Sequence, residues 1–250
     1  MLEVSGITQI FGGVTALEDV TFSINKGDIT GVIGPNGAGK TTLFNIITGI
    51  YSQTRGNVSL NGRDVSGLPP EKLARLGMVR TFQNIELFGG MTVLENVMVG
   101  LHTRSSSGLL ACSLRMPWSR TEETRIRAGA LKWLEFTGIT DLADVTAANL
   151  PFGKGRALEI ARALAVEPDI ILMDEPAAGL NSQETLGLAH LIQRIRDLGI
   201  TVVLVEHDME LVMDICDRIV VLNLGRKLAE GTPREIQENH EVIAAYLGDE

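Results

Sequence analysis

Hydrophobic residues along this chain form short continuous runs that alternate with longer stretches of helical period. Four runs are rich in β-branched residues, and continuous runs of this kind favour strands that are covered on both faces. They are residues 29–33, 78–82, 170–173 and 201–205. The pattern predicts an α/β fold in which a mostly parallel sheet is covered by helices.

Two other pairs of runs predict antiparallel strands. Residues 2–7 and 20–24 alternate between apolar and polar side chains and predict an N-terminal antiparallel β subdomain. Residues 219–222 and 227–230 are joined through Gly225 and predict a late hairpin.

The strand pattern disappears between residues 89 and 148. Residues 92–101 and 121–136 have helical period there, interrupted by a Ser-rich loop at 104–108. We therefore expect one domain over 1–250, with a core formed by 1–88 and 149–250 and an inserted helical lobe at 89–148.

Composition and charge narrow the classes of partner. The 250 residues are 44% hydrophobic and carry a formal net charge of −9, which is a globular composition with an acidic balance. Nucleic-acid binding comes mostly from Lys and Arg side chains that neutralise phosphates, so we expect no nucleic-acid partner for an acidic chain.

The two cysteines, Cys112 and Cys216, are too far apart for a CxxC site. The start of the chain lacks a signal-peptide pattern and no apolar run approaches the ~20 residues of a membrane span, so we expect the chain to stay in the compartment where it is made.

A phosphate-binding loop follows the strand predicted at 29–33 and precedes an apolar helical run at 43–47. The sequence fits the pattern GxxxxGK[ST], and its residues are Gly34, Pro35, Asn36, Gly37, Ala38, Gly39, Lys40, Thr41 and Thr42. In such a loop the glycines let backbone N–H groups turn towards phosphate oxygens, and the helix N-terminus adds its positive dipole. Lys40 then reaches the β- and γ-phosphates, and the Thr41 hydroxyl is a ligand for Mg²⁺.

Polar residues follow three of the predicted strands, at the edge where ligands of open α/β sheets bind. Asp174 and Glu175 follow the run at 170–173, and we expect Asp174 to hold Mg²⁺ and Glu175 to polarise a water for attack on the γ-phosphate. His207 follows the run at 201–205 and can donate to the γ-phosphate. Gln83 follows the run at 78–82, and its amide can reach the Mg²⁺ or the water.

The order of these features resembles the ATP-binding cassette (ABC) ATPases, and the resemblance covers essentially the whole chain. It implies that Phe11 is the aromatic that stacks on adenine and that Gln83 is the glutamine of the Q-loop. It also implies that Asp174 and Glu175 are the Walker B pair and His207 the switch histidine. ATP and Mg²⁺ are the implied cofactors.

The family signature, usually LSGGQ, corresponds here to Leu-Pro-Phe-Gly-Lys at residues 150–154. Pro151 replaces the serine whose hydroxyl contacts the ATP of the partner subunit, and Lys154 stands where glutamine is usual. Gly153 and the N-terminus of the following helix still offer backbone N–H groups that can bind an anion. Asn181 also departs from the pattern, since aspartate is usual in that loop.

Several short sequences are similar to the importer ATPases of the branched-chain amino acid type. They are residues 79–83, 91–97, 177–181, 229–233 and 245–248. This resemblance implies a subunit that hydrolyses Mg-ATP to drive solute uptake, with branched-chain amino acids or a related amide or organic acid as the solute. It implies head-to-tail pairing with a second copy or a paralogue, transmembrane permease subunits, indirectly a solute-binding protein, and a cytoplasmic position on the inner face of the cell membrane. Residues 85–91, with Leu87 and Phe88, are the expected wall for a permease helix.

Two alternatives remain open from the sequence. Pro151 and Asn181 are both changes at the expected dimer edge, which fits a non-hydrolysing regulatory subunit. A small-molecule kinase uses the same phosphate loop, and Glu175 would then act on an acceptor hydroxyl. A soluble ABC protein of DNA repair or translation fits less well, because the chain has one cassette and neither a long coiled coil nor a zinc module.

Overall fold

The structure is a computed structural model that describes residues 1–83, 85–102 and 117–247, with side chains described for residues 122–246 of the last range. Contacts divide the chain into two compact units, Met1–Gln83 with Asp169–Glu250, and Asn84–Pro168. The strands are β1 (Leu2–Phe11), β2 (Val14–Ile24), β3 (Ile29–Ile33), β4 (Arg55–Leu60), β5 (Arg63–Asp64), β6 (Met78–Thr81), β7 (Ile170–Asp174), β8 (Thr201–Val205), β9 (Arg218–Asn223) and β10 (Arg226–Gly231). The α-helices are α1 (Lys40–Ile47), α2 (Pro70–Arg75), α3 (Val93–His102), α4 (Pro117–Thr137), α5 (Phe152–Ala165), α6 (Ser182–Asp197), α7 (Met209–Ile215), α8 (Pro233–Gln237) and α9 (His240–Leu247).

The first unit contains a six-stranded sheet of order β10-β9-β3-β8-β7-β6. All neighbours are parallel except β10, which pairs antiparallel with β9. Every residue of β3, β7 and β8 is buried, as the continuous apolar runs predicted. The α/β prediction is confirmed. Val205 of β8 pairs with Asp174 of β7 and with Val32 of β3. The strands β3, β7 and β8 therefore end at the same edge of the sheet.

A second sheet in the same unit is antiparallel, with the order β2-β1-β4-β5. The N-terminal antiparallel subdomain is therefore confirmed, although β1 and β2 are longer than the alternating runs. The sequence did not indicate β4, because its first half is exposed and only Val58, Ser59 and Leu60 are buried.

The second unit is a helical bundle. Helices α3, α4 and α5 pack on one another around an apolar cluster. The members of that cluster include Val93, Val97, Ala130, Leu134, Leu158 and Ala161. The unit runs from Asn84 to Pro168, which is longer at both ends than the expected lobe at 89–148. The C-terminal part of the difference arises because α5 buries its apolar face, including Leu158 and Ala161, in this cluster.

The expected Ser-rich loop at 104–108 and Cys112 lie outside the described residues. Among the helices that are described, none combines the length and apolarity needed to cross a membrane.

Candidate functional site

The phosphate-binding loop connects β3 to α1 and turns sharply at Gly39. Gly39 is the N-cap of α1 with φ 99°, in the left-handed region. A Cβ atom there would lie 2.6 Å from Leu17 Cδ2 and 2.9 Å from the Ala16 carbonyl oxygen. The loop can therefore pass so close to β2 only because residue 39 has no side chain.

Lys40 lies across the inside of this loop. Its Nζ donates to the carbonyl oxygens of Gly34, at 2.6 Å, and Pro35, at 2.9 Å, and the side chain is only 6% exposed. Burial lowers the pKa of Lys40, and the nearby negative charge of Glu175 opposes part of this effect. The loop thus holds a desolvated cation where the sequence predicts phosphate oxygens.

The loop forms the floor of an open cleft of about 510 Å³. Its lining residues are Val14, Thr15, Ala16, Asn36, Gly37, Ala38, Gly39, Lys40, Thr41, Thr42, Glu175, His207, Leu224 and Gly225. Most of the predicted phosphate-binding residues, together with Glu175 and His207, therefore share one cleft. The sequence did not indicate a place in this site for Val14, Thr15, Ala16, Leu224 and Gly225, although it predicted Gly225 as a hairpin turn.

Phe11 lies at the end of β1, directly across the hairpin from Val14. Its ring packs edge-on against Tyr51 with the centroids 5.6 Å apart, and Phe11 is 43% exposed. Val14, its partner in the hairpin, is the residue that lines the cleft.

The Glu175 carboxylate is held between two side chains that the sequence also predicts for the site. Gln83 Nε2 donates to Oε2 at 2.6 Å, and His207 Nε2 lies 3.0 Å from Oε1. The backbone N–H of Glu175 donates to the Val205 carbonyl oxygen at 2.9 Å, and its φ is 44°. The predicted water-polarising group, switch histidine and Q-loop glutamine therefore form one cluster at the ends of three strands.

Asp174 is paired with Arg80, which sequence reasoning did not single out. Arg80 Nη2 lies 2.5 Å from Asp174 Oδ2, and both side chains are 7% exposed. Arg80 Nη1 also donates to Asn45 Oδ1 at 2.7 Å and Thr48 Oγ1 at 3.0 Å. The guanidinium group thus ties Asp174 to helix α1, which begins at the phosphate-binding loop.

The residues predicted to bind Mg²⁺ offer only oxygen donors. Thr41 contributes a hydroxyl oxygen, Asp174 contributes a carboxylate oxygen, and Gln83 contributes an amide oxygen. The amide nitrogen of Gln83 is the atom that contacts Glu175. Mg²⁺ prefers hard oxygen ligands and usually takes others from phosphates and water. This donor set fits a magnesium ion bound together with a nucleotide.

Glu206, beside His207 in the chain, is a buried carboxylate with an organising role. It is 4% exposed, and its Oε1 accepts from the Ala177 N–H at 2.7 Å, while Oε2 accepts from the His207 N–H at 3.0 Å. Burial raises the pKa of Glu206, against the effect of these N–H donors. The carboxylate therefore joins the segment after Glu175 to the segment that carries His207. The available sequence signal was a glutamate directly after the strand run predicted at 201–205.

In the helical unit, the departures from the signature lie at the start of α5. Pro151 is the N-cap, with no side-chain hydrogen bond to the helix, and Gly153 lies in the first turn. Lys154 Nζ reaches the Gly138 carbonyl oxygen at 3.5 Å. The helix N-terminus that the sequence predicted is present, and a proline precedes it.

Asn181, the other departure, has a local structural role in the first unit. Its Oδ1 accepts from the backbone N–H groups of Gln183 and Glu184, each at 3.0 Å, and Glu184 Oε2 accepts from the Asn181 N–H. This is a capping box at the start of α6. Asn and Asp serve about equally well as N-caps, so the substitution keeps this cap.

Sequence comparison identifies the family. The pattern of the family described as "ABC transporter" matches residues 17–178, and that described as "Branched-chain amino acid ATP-binding cassette transporter" matches residues 226–250. The high-affinity branched-chain amino acid transport ATP-binding protein BraF of Pseudomonas aeruginosa is 47% identical, over 100% of this chain and 98% of its own length. The protein of the same description, LivG, from Escherichia coli is 45% identical with the same coverage.

Solved structures agree with this relationship. A nucleotide-free ATP-binding cassette from an ABC transporter has a TM-score of 0.86 at 34% identity, covering 100% of this chain and 99% of its own. A bacterial ABC transporter cassette solved as a dimer has a TM-score of 0.78 at 28% identity, covering 94% of this chain and 99% of its own. Because the family pattern covers more than half of the sequence and these relatives align along its length, the chain belongs to the ABC transporter family as an ATP-binding cassette.

Proposed function

We propose that this chain is the ATP-binding subunit of an ABC importer and that it hydrolyses Mg-ATP to drive solute uptake. The observation that carries the proposal is the position of Glu175 in the phosphate-loop cleft, held between Gln83 and His207. Branched-chain amino acids are the proposed solute, with a related amide or organic acid as the other possibility. The names of the 45–47% identical relatives and the match at residues 226–250 support this choice.

Nucleotide binding begins at the loop. When a triphosphate enters, Lys40 exchanges its two carbonyl acceptors for phosphate oxygens, and the N–H groups of the loop and of α1 face the same anions. Thr41, Asp174 and Gln83 are the proposed ligands of the accompanying Mg²⁺, which neutralises charge on the phosphates. Phe11 is proposed to stack on adenine, since its ring is partly exposed at the hairpin end.

Hydrolysis requires Glu175 to accept a hydrogen bond from water. Each of its oxygens has one side-chain partner in this structure, and loss of one partner would free a lone pair for a water. We propose that His207 turns to donate to the γ-phosphate, which leaves Glu175 Oε1 for the attacking water. The presence of the γ-phosphate would thereby control the base.

A second cassette would complete each ATP site. The N-terminus of α5, with Gly153 in its first turn, is an anion-binding element, and we propose that it faces the ATP of a partner cassette. A related cassette has been solved as a dimer, which supports pairing of this kind. The partner is a second copy of the chain or a paralogue.

The helical unit offers an exposed apolar surface for the permease subunits. Phe88 and Met91 are 47% and 39% exposed, and the loop that carries them is fastened by the buried Asn96. Asn96 Oδ1 accepts from the Phe88 N–H at 2.9 Å, and its Nδ2 donates to the Thr92 carbonyl oxygen at 2.9 Å. We propose that this loop contacts the permease and that the chain is peripheral on the inner face of the cell membrane. A solute-binding protein would be an indirect partner.

A catalytically weakened regulatory subunit is the second candidate. Pro151 favours it, because the residue supplies neither a hydroxyl to a partner's nucleotide nor a side-chain cap to α5.

Affinity purification of the tagged full chain from its native membranes tests the proposal. We expect integral membrane permease subunits to copurify and the complex to release free phosphate from ATP. Phe88→Asp should lower the recovery of the permease, whereas Leu198→Asp, at an exposed leucine of the other unit, should not. ATP binding without phosphate release would favour the regulatory subunit, and phosphoryl transfer to a small molecule would favour a kinase.

A further inference from the structure

Arg80 is a buried arginine in β6, on the strand beside the one that ends in Asp174. Its side chain is 7% exposed, and its guanidinium carbon Cζ lies over two aromatic rings, 5.8 Å from the centroid of Phe44 and 5.1 Å from that of Phe82. Phe44 belongs to α1, and Phe82 directly precedes Gln83. The guanidinium group therefore contacts both the helix that begins at the phosphate-binding loop and the segment that carries the predicted Q-loop glutamine.

The nitrogen atoms of Arg80 join two parts of the site. Nη2 lies 2.5 Å from Asp174 Oδ2, while Nη1 donates to Asn45 Oδ1 and Thr48 Oγ1 on α1. A planar fork can make these contacts at once, whereas the single nitrogen of a lysine cannot. The guanidinium group thus sets the spacing between the carboxylate and the helix.

Stability of the fold does not by itself account for a charge at position 80. A buried ion pair is often no more stabilising than apolar side chains of the same volume, because both charges lose their hydration. The Nε–H of Arg80 is also buried and has no acceptor within the described part of the chain, which adds to the cost. The effect of the charge on Asp174 offers a reason for keeping it.

Asp174 is a proposed ligand of Mg²⁺, and its attraction for a cation depends on its negative charge. Arg80 neutralises that charge at contact distance. Mg²⁺ gives up its water reluctantly, and its sites generally combine one or two carboxylates with phosphate oxygens of a substrate. The pair of Asp174 and Arg80 therefore attracts a free cation weakly until a triphosphate brings further negative charge.

We infer that Arg80 is a positioning residue that makes metal binding at Asp174 depend on the nucleotide. It ties the carboxylate to α1, and it cancels the charge that would otherwise hold the metal without ATP. This inference rests on the proposed function, because it requires Asp174 to take part in holding the Mg²⁺ of Mg-ATP. Arg80 acts through Asp174 and does not itself contact the nucleotide.

Binding of Mn²⁺ alone to the full chain tests this role, with the free ion measured by electron paramagnetic resonance. Mn²⁺ suits the same carboxylate and water ligands as Mg²⁺. Arg80→Gln keeps an amide donor for Asp174 and removes the charge, so we expect it to strengthen the binding of Mn²⁺ alone about fivefold to tenfold. A merely structural role would lower the stability of the fold without raising the affinity for a free cation.

Two matched controls show where a gain in affinity comes from. Arg218→Gln makes the same exchange beside Thr30, near the start of β3, whereas the phosphate-binding loop follows the end of that strand. It should leave Mn²⁺ affinity unchanged. The double variant Arg80→Gln with Asp174→Asn should bind Mn²⁺ as weakly as the unchanged chain, because its carboxylate is gone.

Arg80→Lys separates the charge from the fork. It should keep the affinity for Mn²⁺ alone within about twofold, because the charge remains. It should weaken binding of Mg-ATP about fivefold, measured by calorimetry, because one nitrogen cannot hold both Asp174 and α1. If Arg80→Gln does not fold, this variant decides, and Mg-ATP affinity equal to that of the unchanged chain overturns the role of Arg80.

The outcomes separate this inference from the proposed function. Mn²⁺ affinity that is the same in Arg80→Gln and the unchanged chain, or a gain that persists in the double variant, overturns the role of Arg80. Failure of the unchanged chain to bind Mg-ATP overturns the proposed function itself. A gain that requires Asp174, in a chain that binds Mg-ATP, supports both.

Discussion

His207 Nε2 lies 3.0 Å from Glu175 Oε1, so the predicted sensor of the γ-phosphate contacts the predicted catalytic carboxylate directly. His207 is half-exposed, whereas Glu175 is mostly buried. The histidine is therefore the partner with room to move. In the proposed mechanism, exchange of this contact for one to a phosphate oxygen would link nucleotide binding to activation of water.

The burial of Lys40 predicts a pH dependence of phosphate binding. Burial lowers the pKa of Lys40 from its ordinary value of 10.5 in the free chain, and a bound anion raises it again. Above the free-state pKa, binding must take up a proton, so the affinity falls as pH rises, by at most about tenfold per pH unit. Calorimetric titration with tripolyphosphate from neutral pH up to 10.5 measures this effect.

The fall should begin below pH 10.5, because the lowered pKa is that of the free chain. Lys40→Gln is the control, and it should bind weakly with no such loss over the same range. An affinity of the unchanged chain that is as flat as that of the variant would contradict the assigned role.

Pro151→Ser restores the hydroxyl usual for the family at the N-cap of α5. A serine there can accept from an N–H of the first turn and favours the helix by about 1 kcal/mol, partly offset by the greater freedom of the unfolded chain. We expect hydrolysis in the assembled transporter complex to be equal or faster. Pro151→Ala, which lacks the hydroxyl, is the matched comparison. A marked loss in the serine variant alone would mean that the site is adapted to proline.

Glu206 predicts a pH-dependent difference in stability. Burial raises the pKa of Glu206 in the folded chain above its ordinary value of 4.5, opposed in part by its N–H donors. The neutral carboxyl is thus favoured in the folded chain. Its contribution to the free energy of unfolding is fully present below pH 4.5 and is lost as pH rises through the folded-state pKa. Glu206→Gln does not titrate at this position and therefore lacks this pH-dependent contribution to stability. The free energy of unfolding of the unchanged chain, minus that of the variant, should therefore decrease with rising pH.

Urea unfolding at a series of pH values measures this difference, with Glu210→Gln as a control at an exposed glutamate of α7. A difference that increases with pH would mean that the N–H donors outweigh burial at Glu206.

Much of the parallel sheet was predictable because its buried strands β3, β7 and β8 are mainly apolar and rich in β-branched residues. β3 and β8 have the same bounds as the predicted runs, and β6 and β7 differ by one residue at one end. Helix α6 was not assigned, although Asn181 and Glu184 mark its start and its buried face includes Leu188 and Ile192. That helix was readable from the capping box and the helical period.

The support of the site was less predictable because it depends on contacts between distant segments. Arg80 lies one strand away from Asp174, and only the register of β6 beside β7 brings the two together. In the same way, Glu206 accepts a hydrogen bond from the N–H of Ala177, which lies 29 residues away in sequence. Motif spacing predicts the residues that would face a nucleotide, whereas the residues that hold them in place become visible only in the fold.

The decisive measurement is the rate of ATP hydrolysis by the assembled complex, compared between the unchanged chain and Glu175→Gln. It tests whether Glu175 activates the attacking water. The amide cannot act as a base, so we expect ATP binding to be retained, a persistent closed dimer to form, and turnover to fall by about 10²-fold to 10⁴-fold. Glu210→Gln should leave turnover unchanged. Hydrolysis by Glu175→Gln at the rate of the unchanged chain would contradict the assignment of Glu175 as the residue that activates water.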